Sequence, residues 1–231
     1  MAKHGRLCVS VAVSDAVAVL AAVMPVVNLV DVIEIRLDAM TEPNIELCIT
    51  QLPCPVLVTN RPQWEGGLFT GSEEERIRIL CRAIQAGAMY ADVELHARPE
   101  LRHEVQETAR HHGAKVIVSN HDFRATPAPA RLREILAEMI STGADIGKIV
   151  TSATTPADVL RVLALQEIAT AARFPLCAFA MGETGKISRL ATLYLGGFMT
   201  YAAIDQQQVT APGQIAIADL HALCTLLEDE K

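Results

Sequence analysis

The sequence predicts a TIM-type (β/α)8 barrel that forms a single domain over residues 1–231. Short β-rich runs recur along the chain, and helical patterns of apolar residues separate them. Polar side chains stand near the ends of successive runs, where such a barrel carries its functional groups. The chain length also suits one barrel of this kind. An open, doubly wound parallel sheet is the alternative that the same order of elements allows.

The predicted strands are runs rich in β-branched and apolar residues. They are Leu7–Val13, Asp31–Leu37, Pro55–Arg61, Tyr90–Leu95, Lys115–His121, Asp145–Thr151, Pro175–Met181 and Met199–Ile204. Apolar residues at helical spacing predict helices at Glu73–Ala86, Arg98–His112, Arg131–Ser141 and Ala157–Arg173. Ser72, followed by Glu75, predicts a capped start for the first of these helices. Gly113 and Gly143 each precede a strand closely and suit helix ends.

Alternation along the strands sorts polar from apolar side chains. In the second strand, Glu34, Arg36 and Asp38 share one face, and the apolar residues between them share the other. The same sorting pairs further polar residues late in their strands, namely Thr59 with Arg61, Asp92 with Glu94, and Ser119 with His121. A solvated surface strand would also alternate in this way. Because the pattern recurs in four successive strands, it favours a site at the barrel mouth.

Composition excludes several classes of partner. Hydrophobic residues make up 51% of the chain, and the formal net charge is −7 without any dense Lys/Arg run, which argues against nucleic-acid and anionic-membrane partners. The longest apolar stretch, from Ala16 to Val30, is interrupted and too short to cross a membrane. The six cysteines are scattered without C-x-x-C spacing, and the start shows no signal-peptide pattern. We therefore expect reduced thiols in a cytoplasmic protein.

Lys148 is the sharpest functional signal, because it lies in the otherwise apolar run Asp145–Thr151. A parallel barrel strand is covered on both faces, so we expect this side chain to be partly desolvated. Desolvation favours a neutral amine, which is a nucleophile suited to forming a Schiff base with a carbonyl substrate. A lysine paired with a buried carboxylate, such as Glu94 or Glu34, explains the same placement equally well.

His121 ends the strand immediately before the lysine strand, so the imidazole and the amine should be neighbours. Imine formation requires proton transfers, and histidine titrates near neutral pH. A hydrogen-bonded core histidine is the alternative, but an inward lysine next to it favours a general acid/base. The remaining histidines have no metal-ligand spacing.

Three arginines are candidates for anion binding. Arg36 and Arg61 lie at strand ends, and Arg189 lies in the predicted loop after the seventh strand. The planar guanidinium group suits bidentate binding of a carboxylate, so together they predict a small anionic substrate. Any one of them taken singly fits a rim ion pair. The nearby segment 182–186 resembles a phosphate loop but lacks its glycine placement and its Ser or Thr, and is predicted to be a flexible turn.

A series of motifs runs through the chain in an order compatible with a barrel. They are Glu34-Ile-Arg-Leu-Asp38, Thr59-Asn-Arg-Pro-Gln-Trp-Glu-Gly-Gly67, Asp92-Val-Glu-Leu95, Ser119-Asn-His-Asp-Phe123 with Thr126-Pro127, Ala144-Asp-Ile-Gly-Lys148, Met181-Gly-Glu-Thr-Gly-Lys-Ile-Ser-Arg189 and Ala211-Pro-Gly-Gln214. Together they resemble the type I 3-dehydroquinate dehydratase family, the Schiff-base enzymes of the shikimate pathway. The resemblance extends from Leu7 to Leu226.

The resemblance implies syn dehydration of 3-dehydroquinate to 3-dehydroshikimate by a homodimer that needs no metal and no organic cofactor. It implies that Lys148 forms the imine with the C3 ketone, that His121 transfers protons, and that Glu65 positions His121. The substrate-binding residues that it implies are Glu34, Arg36, Arg61, Arg189, Thr210 and Gln214. Thr210 stands where many members have serine, which keeps the hydroxyl but adds a methyl group to the loop.

Two other functions fit the same residues. Another class I Schiff-base barrel, an aldolase or transaldolase, would act on a small anionic carbonyl compound. Those that use sugar phosphates need a glycine-rich phosphate site after the seventh or eighth strand, where this chain has Arg189 and Ala211-Pro-Gly-Gln214. An inactive barrel that only binds an acidic metabolite would be expected to lose Lys148 or His121, and both are present.

Overall fold

The computed structural model describes residues 4–228, which form eight parallel strands in a nearly closed barrel. The strands are β1 (Arg6–Val11), β2 (Val32–Arg36), β3 (Val56–Thr59), β4 (Tyr90–Glu94), β5 (Lys115–His121), β6 (Ile146–Ser152), β7 (Leu176–Met181) and β8 (Met199–Ala202). Their order is β7-β6-β5-β4-β3-β2-β1-β8. The Phe198 amide, before β8, donates to the Leu176 carbonyl of β7 at 2.8 Å. The predicted barrel is therefore confirmed, and the doubly wound alternative is wrong, because its strand order would reverse.

Helices cover the outside of the barrel. In residues 4–228 they are α1 (Ala16–Val23), α2 (Glu46–Gln51), α3 (Glu73–Gln85), α4 (Pro99–His112), α5 (Pro129–Ser141), α6 (Pro156–Leu163), α7 (Leu165–Ala171), α8 (Lys186–Tyr194) and α9 (Ile217–Glu228). Short 3-10 helices occupy Met24–Leu29, Leu37–Ala39 and Gln63–Glu65. The predicted strand ends agree with the observed ones to within two residues.

One helix that the sequence predicts as continuous is two helices in the structure. The run Ala157–Arg173 is divided at Ala164 into α6 and α7. Apolar spacing does not reveal the break, because both pieces bury their apolar residues, including Val162 in α6 and Leu165 in α7. The predicted helix ends are confirmed elsewhere: the Ser72 hydroxyl accepts from the Glu75 amide, and Gly113 caps α4 with φ 73°.

The core has two layers, as the strand alternation predicts. Outward residues of the strands, such as Ile35 and Val93, pack with the helices in one large apolar cluster. Inward residues fill the lower barrel with a second apolar cluster, which includes Leu57, Ile117 and Ile146. The inward positions nearer the carboxyl ends of β2 to β5, together with Lys148 of β6, hold polar or ionisable side chains instead. Parity therefore places the polar residues inside the barrel mouth.

Two further observations concern the cysteines and the length of the helices. The six cysteines are all unpaired, and five are buried while Cys54 is half-buried, as expected for core thiols. No helix within residues 4–228 has the length and apolar character needed to traverse a bilayer.

Gly147 of β6 allows close packing directly beside Lys148. A Cβ at this position would lie 2.6 Å from Cε1 of Phe174 and 3.1 Å from Cδ1 of Leu176. We expect Gly147→Ala to lower the free energy of unfolding by about 1–3 kcal/mol, measured by denaturant titration, because the added methyl group overpacks the site. In Gly147→Ala/Phe174→Leu the total loss should be smaller than the sum of the single losses. Additive losses would contradict the steric explanation.

Candidate active site

One cavity lies at the carboxyl ends of the strands and encloses about 530 Å³, including space open to solvent. All nine residues that the sequence singled out for catalysis or substrate binding line it, namely Glu34, Arg36, Arg61, Glu65, His121, Lys148, Arg189, Thr210 and Gln214. Within residues 4–228, no group of three or more His, Cys, Asp or Glu side chains is arranged to hold a metal ion. The polar side chains that line the cavity come from several neighbouring strands and the loops after them, and they are charged or able to form hydrogen bonds.

Lys148 projects into the barrel and is only 4% exposed. Its Nζ lies 3.1 Å from Oδ2 of Asp92, 3.6 Å from Oε1 of Glu34 and 3.9 Å from the ring centroid of Tyr201. The ion-pair alternative is thus correct for Glu34. It is wrong for Glu94, because Asp92 contacts the amine while Glu94 pairs with two arginines. The ion pair and the nucleophile hypotheses are compatible, since the paired amine still lines the cavity.

Hydroxyl groups hold the two carboxylates next to Lys148. Thr59 donates to Glu34 Oε1 at 2.8 Å, and the Ser10 hydroxyl donates to Oε2. Ser119 donates to Asp92 Oδ1 at 2.6 Å. These bonds satisfy the carboxylate oxygens in a buried setting, which is required where charge is removed from water.

Arg61 is the centre of a buried ionic network. Its Nη2 lies 2.9 Å from Asp92 Oδ1, and its Nη1 lies 2.5 Å from Glu94 Oε1. The other oxygen of Glu94 lies 2.6 Å from Nη1 of Arg76. Burial alone would favour the protonated acid, but Arg61 and Lys148 hold the pKa of Asp92 far below its usual range. Because these carboxylates engage its guanidinium group, Arg61 mainly orders the site.

His121 and Glu65 form the second functional pair, with Nδ1 of His121 2.8 Å from Oε2 of Glu65. Burial raises the pKa of Glu65 to about 8, although Arg61 opposes the rise. Burial, followed by the charges of Arg61 and Lys148, lowers the pKa of His121 well below its ordinary value. Burial therefore disfavours a charge on either member of the pair, and their hydrogen bond engages Nδ1, which leaves Nε2 for a ligand.

Asp38 ties the end of β2 to the loop that carries Glu65. Its carboxylate accepts from Nε of Arg36 at 2.8 Å and from Nη2 at 2.6 Å. It also accepts from the backbone amides of Arg61 and Leu68, both at 3.0 Å. Burial opposes ionisation of Asp38, but Arg36 and these amides hold its pKa below the ordinary value. One carboxylate thus orients a candidate substrate-binding arginine and the catalytic loop together.

The loop after β3 contains two closely packed glycines, and the first of them faces the loop after β5. Gly66 has φ 74°, and a Cβ there would lie 2.5 Å from Cζ of Phe123. A Cβ on Gly67 would lie 1.9 Å from the carbonyl oxygen of Arg61. The Phe123 ring stacks on His121 with centroids 6.0 Å apart. Glycine is therefore required for the loops to close around the His121 ring.

Arg189 lies in the first turn of α8, so its predicted placement in a loop was wrong. The Ser188 hydroxyl donates to the Gly185 carbonyl at 2.5 Å and accepts from the Ala180 amide at 2.8 Å. These bonds fix the start of α8 against β7. The preceding turn, 182–185, is correspondingly short.

The Arg189 guanidinium group is a buried cation without a carboxylate partner in the described structure. It donates to the carbonyls of Tyr201 at 3.1 Å and Pro212 at 3.2 Å, and its Nε has no partner within residues 4–228. Its carbon Cζ lies 4.8 Å from the ring centroid of Phe179. Burial lowers the pKa of Arg189 to about 10. Such a group is suited to an anionic ligand, which would supply the missing countercharge.

Gln214 and Thr210 hold the loop after β8 beside Arg189. Oε1 of Gln214 accepts from the Thr210 amide at 2.7 Å and from the Ala211 amide at 3.2 Å. Nε2 of Gln214 donates to the Thr210 hydroxyl at 3.0 Å. Thr210 therefore takes part in the loop through its hydroxyl, the group that it shares with serine.

Several residues of the site were not singled out from the sequence. Asp92 was placed inside the barrel but not named as the partner of Lys148. Tyr201 and Phe179 follow from the same alternation, once it is extended to β7 and β8. Arg76 gave no such signal: its burial depends on Glu94 beneath it and on the Asn60 carbonyl, which accepts from Nη1 at 3.0 Å.

The raised pKa of Glu65 has a measurable effect on stability. The folded protein holds this proton up to about pH 8, whereas an unperturbed glutamate releases it near pH 4.5. The unfolded state therefore binds fewer protons across this interval, so stability falls as pH rises. His121 is neutral in the folded protein, and its protonation in the unfolded state near pH 6.5 is the same in the wild type and in a Glu65 variant, so it cancels when the two are compared.

We accordingly expect wild-type stability to fall relative to Glu65→Gln between pH 6.5 and 8. The difference in the free energy of unfolding between the two proteins should change by up to about 1.4 kcal/mol per pH unit. Urea titrations at several pH values measure it. Glu134→Gln, on the exposed face of α5, serves as the control and should follow the wild type. Parallel curves for the wild type and Glu65→Gln would show that Glu65 is ionised in the folded protein.

Known proteins resemble this chain over nearly its whole length. The family model for type I 3-dehydroquinase matches residues 7–231. A 3-dehydroquinate dehydratase of Desulfotalea psychrophila is 44% identical over 193 residues, covering 84% of this chain and 85% of that protein. One from Methanosarcina barkeri is 36% identical over 207 residues, covering 86% of each.

Solved structures agree with the sequence comparison. The crystal structure of type I 3-dehydroquinate dehydratase from Clostridium difficile, with covalently modified comenic acid, matches with a TM-score of 0.88 and 28% identity. The match covers 99% of this chain and 94% of that one. With the family model and the close relatives in agreement, the chain belongs to the type I 3-dehydroquinase family.

Proposed function

We propose that this chain dehydrates 3-dehydroquinate to 3-dehydroshikimate through a Schiff base on Lys148. The observation that carries the proposal is the convergence of Lys148, His121 and the unpaired cation Arg189 on one cavity. This set provides a nucleophile, a proton-transfer group and a binding group for a carboxylate. The relatives from Desulfotalea and Methanosarcina carry the name of this reaction.

Imine formation begins when the Lys148 amine, after giving up a proton, attacks the C3 ketone. Protonation and loss of the carbinolamine hydroxyl as water leave a cationic imine. His121 is the proton carrier in our proposal, because its Nδ1 is engaged by Glu65 and Nε2 remains for the substrate. Asp92 and Glu34 hold the amine at the centre of the barrel.

Elimination uses the imine as an electron sink. His121 accepts the C2 proton, which leaves its electron pair in an enamine; return of that pair expels the C1 hydroxyl, which takes the proton back from His121 and leaves as water. A double bond forms between C1 and C2, and one water molecule leaves. Hydrolysis of the product imine then consumes the water released at the first step and restores Lys148, so the net change is the loss of one water.

Binding of the substrate is assigned to the cavity rim. We propose that Arg189 and Gln214 hold the carboxylate, with the Thr210 hydroxyl stabilising the loop above it. Glu34 and Arg36 are assigned to the hydroxyl groups of the substrate, since both line the cavity.

The experiment that tests the function combines two readouts. With 3-dehydroquinate, the wild type should generate the absorbance of a conjugated enone, and borohydride should leave a substrate-sized mass adduct on Lys148. Lys148→Met keeps most of the side-chain volume without the amine and should show neither. A wild type without an adduct would contradict the Schiff-base mechanism. Cleavage of a carbon–carbon bond instead of dehydration would favour the aldolase or transaldolase alternative.

Two buried arginines provide a matched pair of variants. Arg189→Met removes a cation without a carboxylate partner, so we expect the apparent substrate affinity to fall roughly 10- to 100-fold with little loss of stability. Arg76→Met leaves Glu94 and Glu73 without their common partner, so the free energy of unfolding should fall by about 3–5 kcal/mol. Steady-state kinetics and urea titration measure both. An unchanged KM in Arg189→Met would reject the carboxylate assignment.

The family resemblance also motivates three broader assignments. We propose a homodimer, a cytoplasmic location, and one catalytic domain over residues 1–231 that works without metal or organic cofactor. Sedimentation as a monomer at micromolar concentration would contradict the first. Activity lost after dialysis against a chelator would contradict the last.

A further inference from the structure

Tyr201 of β8 faces Lys148 inside the barrel. Its ring is 3% exposed, and the centroid lies 3.9 Å from Nζ of Lys148. Phe179 packs against it with centroids 5.9 Å apart at a tilt of 46°, which fixes the orientation of the ring. The reacting nitrogen therefore has two carboxylates and one aromatic face as its immediate partners.

The aromatic face differs from the carboxylates in what it requires of the nitrogen. An ammonium group has three N–H donors, which suit Asp92 and Glu34. A protonated imine keeps a single N–H, and its charge is shared with the neighbouring carbon. A carboxylate loses a directed bond when its donor disappears, whereas attraction to the face of a ring depends on the charge alone. The ring can therefore stabilise the cation before and after the bond to carbon forms.

The hydroxyl of Tyr201 does not account for this placement. Within residues 4–228 its Oη is buried without a hydrogen-bond partner. Burial, reinforced by nearby Cys177 and Glu34, raises the pKa of Tyr201 well above its ordinary value, so the phenol remains neutral. The side chain consequently offers the nitrogen its π face rather than a base.

We infer that Tyr201 is a further catalytic residue, whose ring holds the Lys148 nitrogen and stabilises the cationic imine formed on it. No bond to Tyr201 forms or breaks in any step. The inference rests on the proposed Schiff-base function, and it adds a residue that neither the sequence motifs nor the proposed mechanism includes.

Fluorination of the ring tests the inference with little change in shape. Tyr201→Phe keeps the ring without the hydroxyl and is the reference against which the fluorinated series is measured. Replacing residue 201 by mono-, di- and trifluorophenylalanine withdraws π-electron density stepwise. Along this series kcat should fall progressively, by roughly 5- to 30-fold in total, and so should the fraction of enzyme trapped by borohydride at saturating substrate.

Phe198 provides a matched control for fluorination. Its ring contacts the Arg6 guanidinium carbon at 4.6 Å, at the opposite end of the barrel from the cavity. The same fluorinated residues at position 198 should leave kcat unchanged.

The possible outcomes distinguish a failure of the role inferred for the Tyr201 ring from a failure of the Schiff-base mechanism. A flat series at position 201 would overturn the inference, and so would a Tyr201→Phe variant as impaired as the trifluoro variant, because the hydroxyl would then be responsible. A wild type that gives no borohydride adduct would instead contradict the Schiff base itself.

Discussion

The guanidinium group of Arg61 makes it possible to bury so many ionisable side chains in one barrel mouth. It contacts Asp92 and Glu94, and its Nη1 lies 3.6 Å from Oε2 of Glu65. Asp92 in turn pairs with Lys148, and Glu65 pairs with His121. Without this cation, three carboxylic acids would face one another in a region of low dielectric, which is strongly unfavourable. The positions of both pairs, which contain the proposed catalytic residues Lys148 and His121, depend on it.

The same cation acts on the two pairs in different ways. It favours the ionised form of Asp92, which therefore remains a partner for the amine. It disfavours a second positive charge on His121, whose imidazole stays neutral. A neutral histidine beside a positively charged lysine retains a proton to give and a nitrogen that can accept one. One buried charge thus sets the protonation of the acid/base group through space and holds the amine through Asp92.

The recurrence of strand-like runs separated by helical patterns was sufficient to predict the barrel, and alternation within the strands was sufficient to predict the inward set of polar residues, because both are local properties of the sequence. Alternation was not sufficient to predict their pairing. Asp92 and Glu94 share a face, and the pairing register aligns Glu94 with Ser119 and, through it, with Lys148. Asp92 reaches the amine instead, because barrel strands tilt and residues at one height inside the barrel do not follow the register. Arg76 contributes from α3, and no pattern in that helix reveals the acid beneath it. Arg189 was recognised as a candidate, but its place in α8 depends on Ser188, whose bond to the Ala180 amide is tertiary.

The two aromatic rings at the base of the cavity also fix the distance between Lys148 and Arg189. Lys148 lies over Tyr201, Arg189 lies over Phe179, and the rings touch each other. The separation between the amine and the anion-binding guanidinium group is thus set by van der Waals packing inside a rigid barrel. The spacing of the two cations therefore restricts the ligand. A keto acid whose carbonyl and carboxylate groups are spaced differently cannot contact both Lys148 and Arg189 at once.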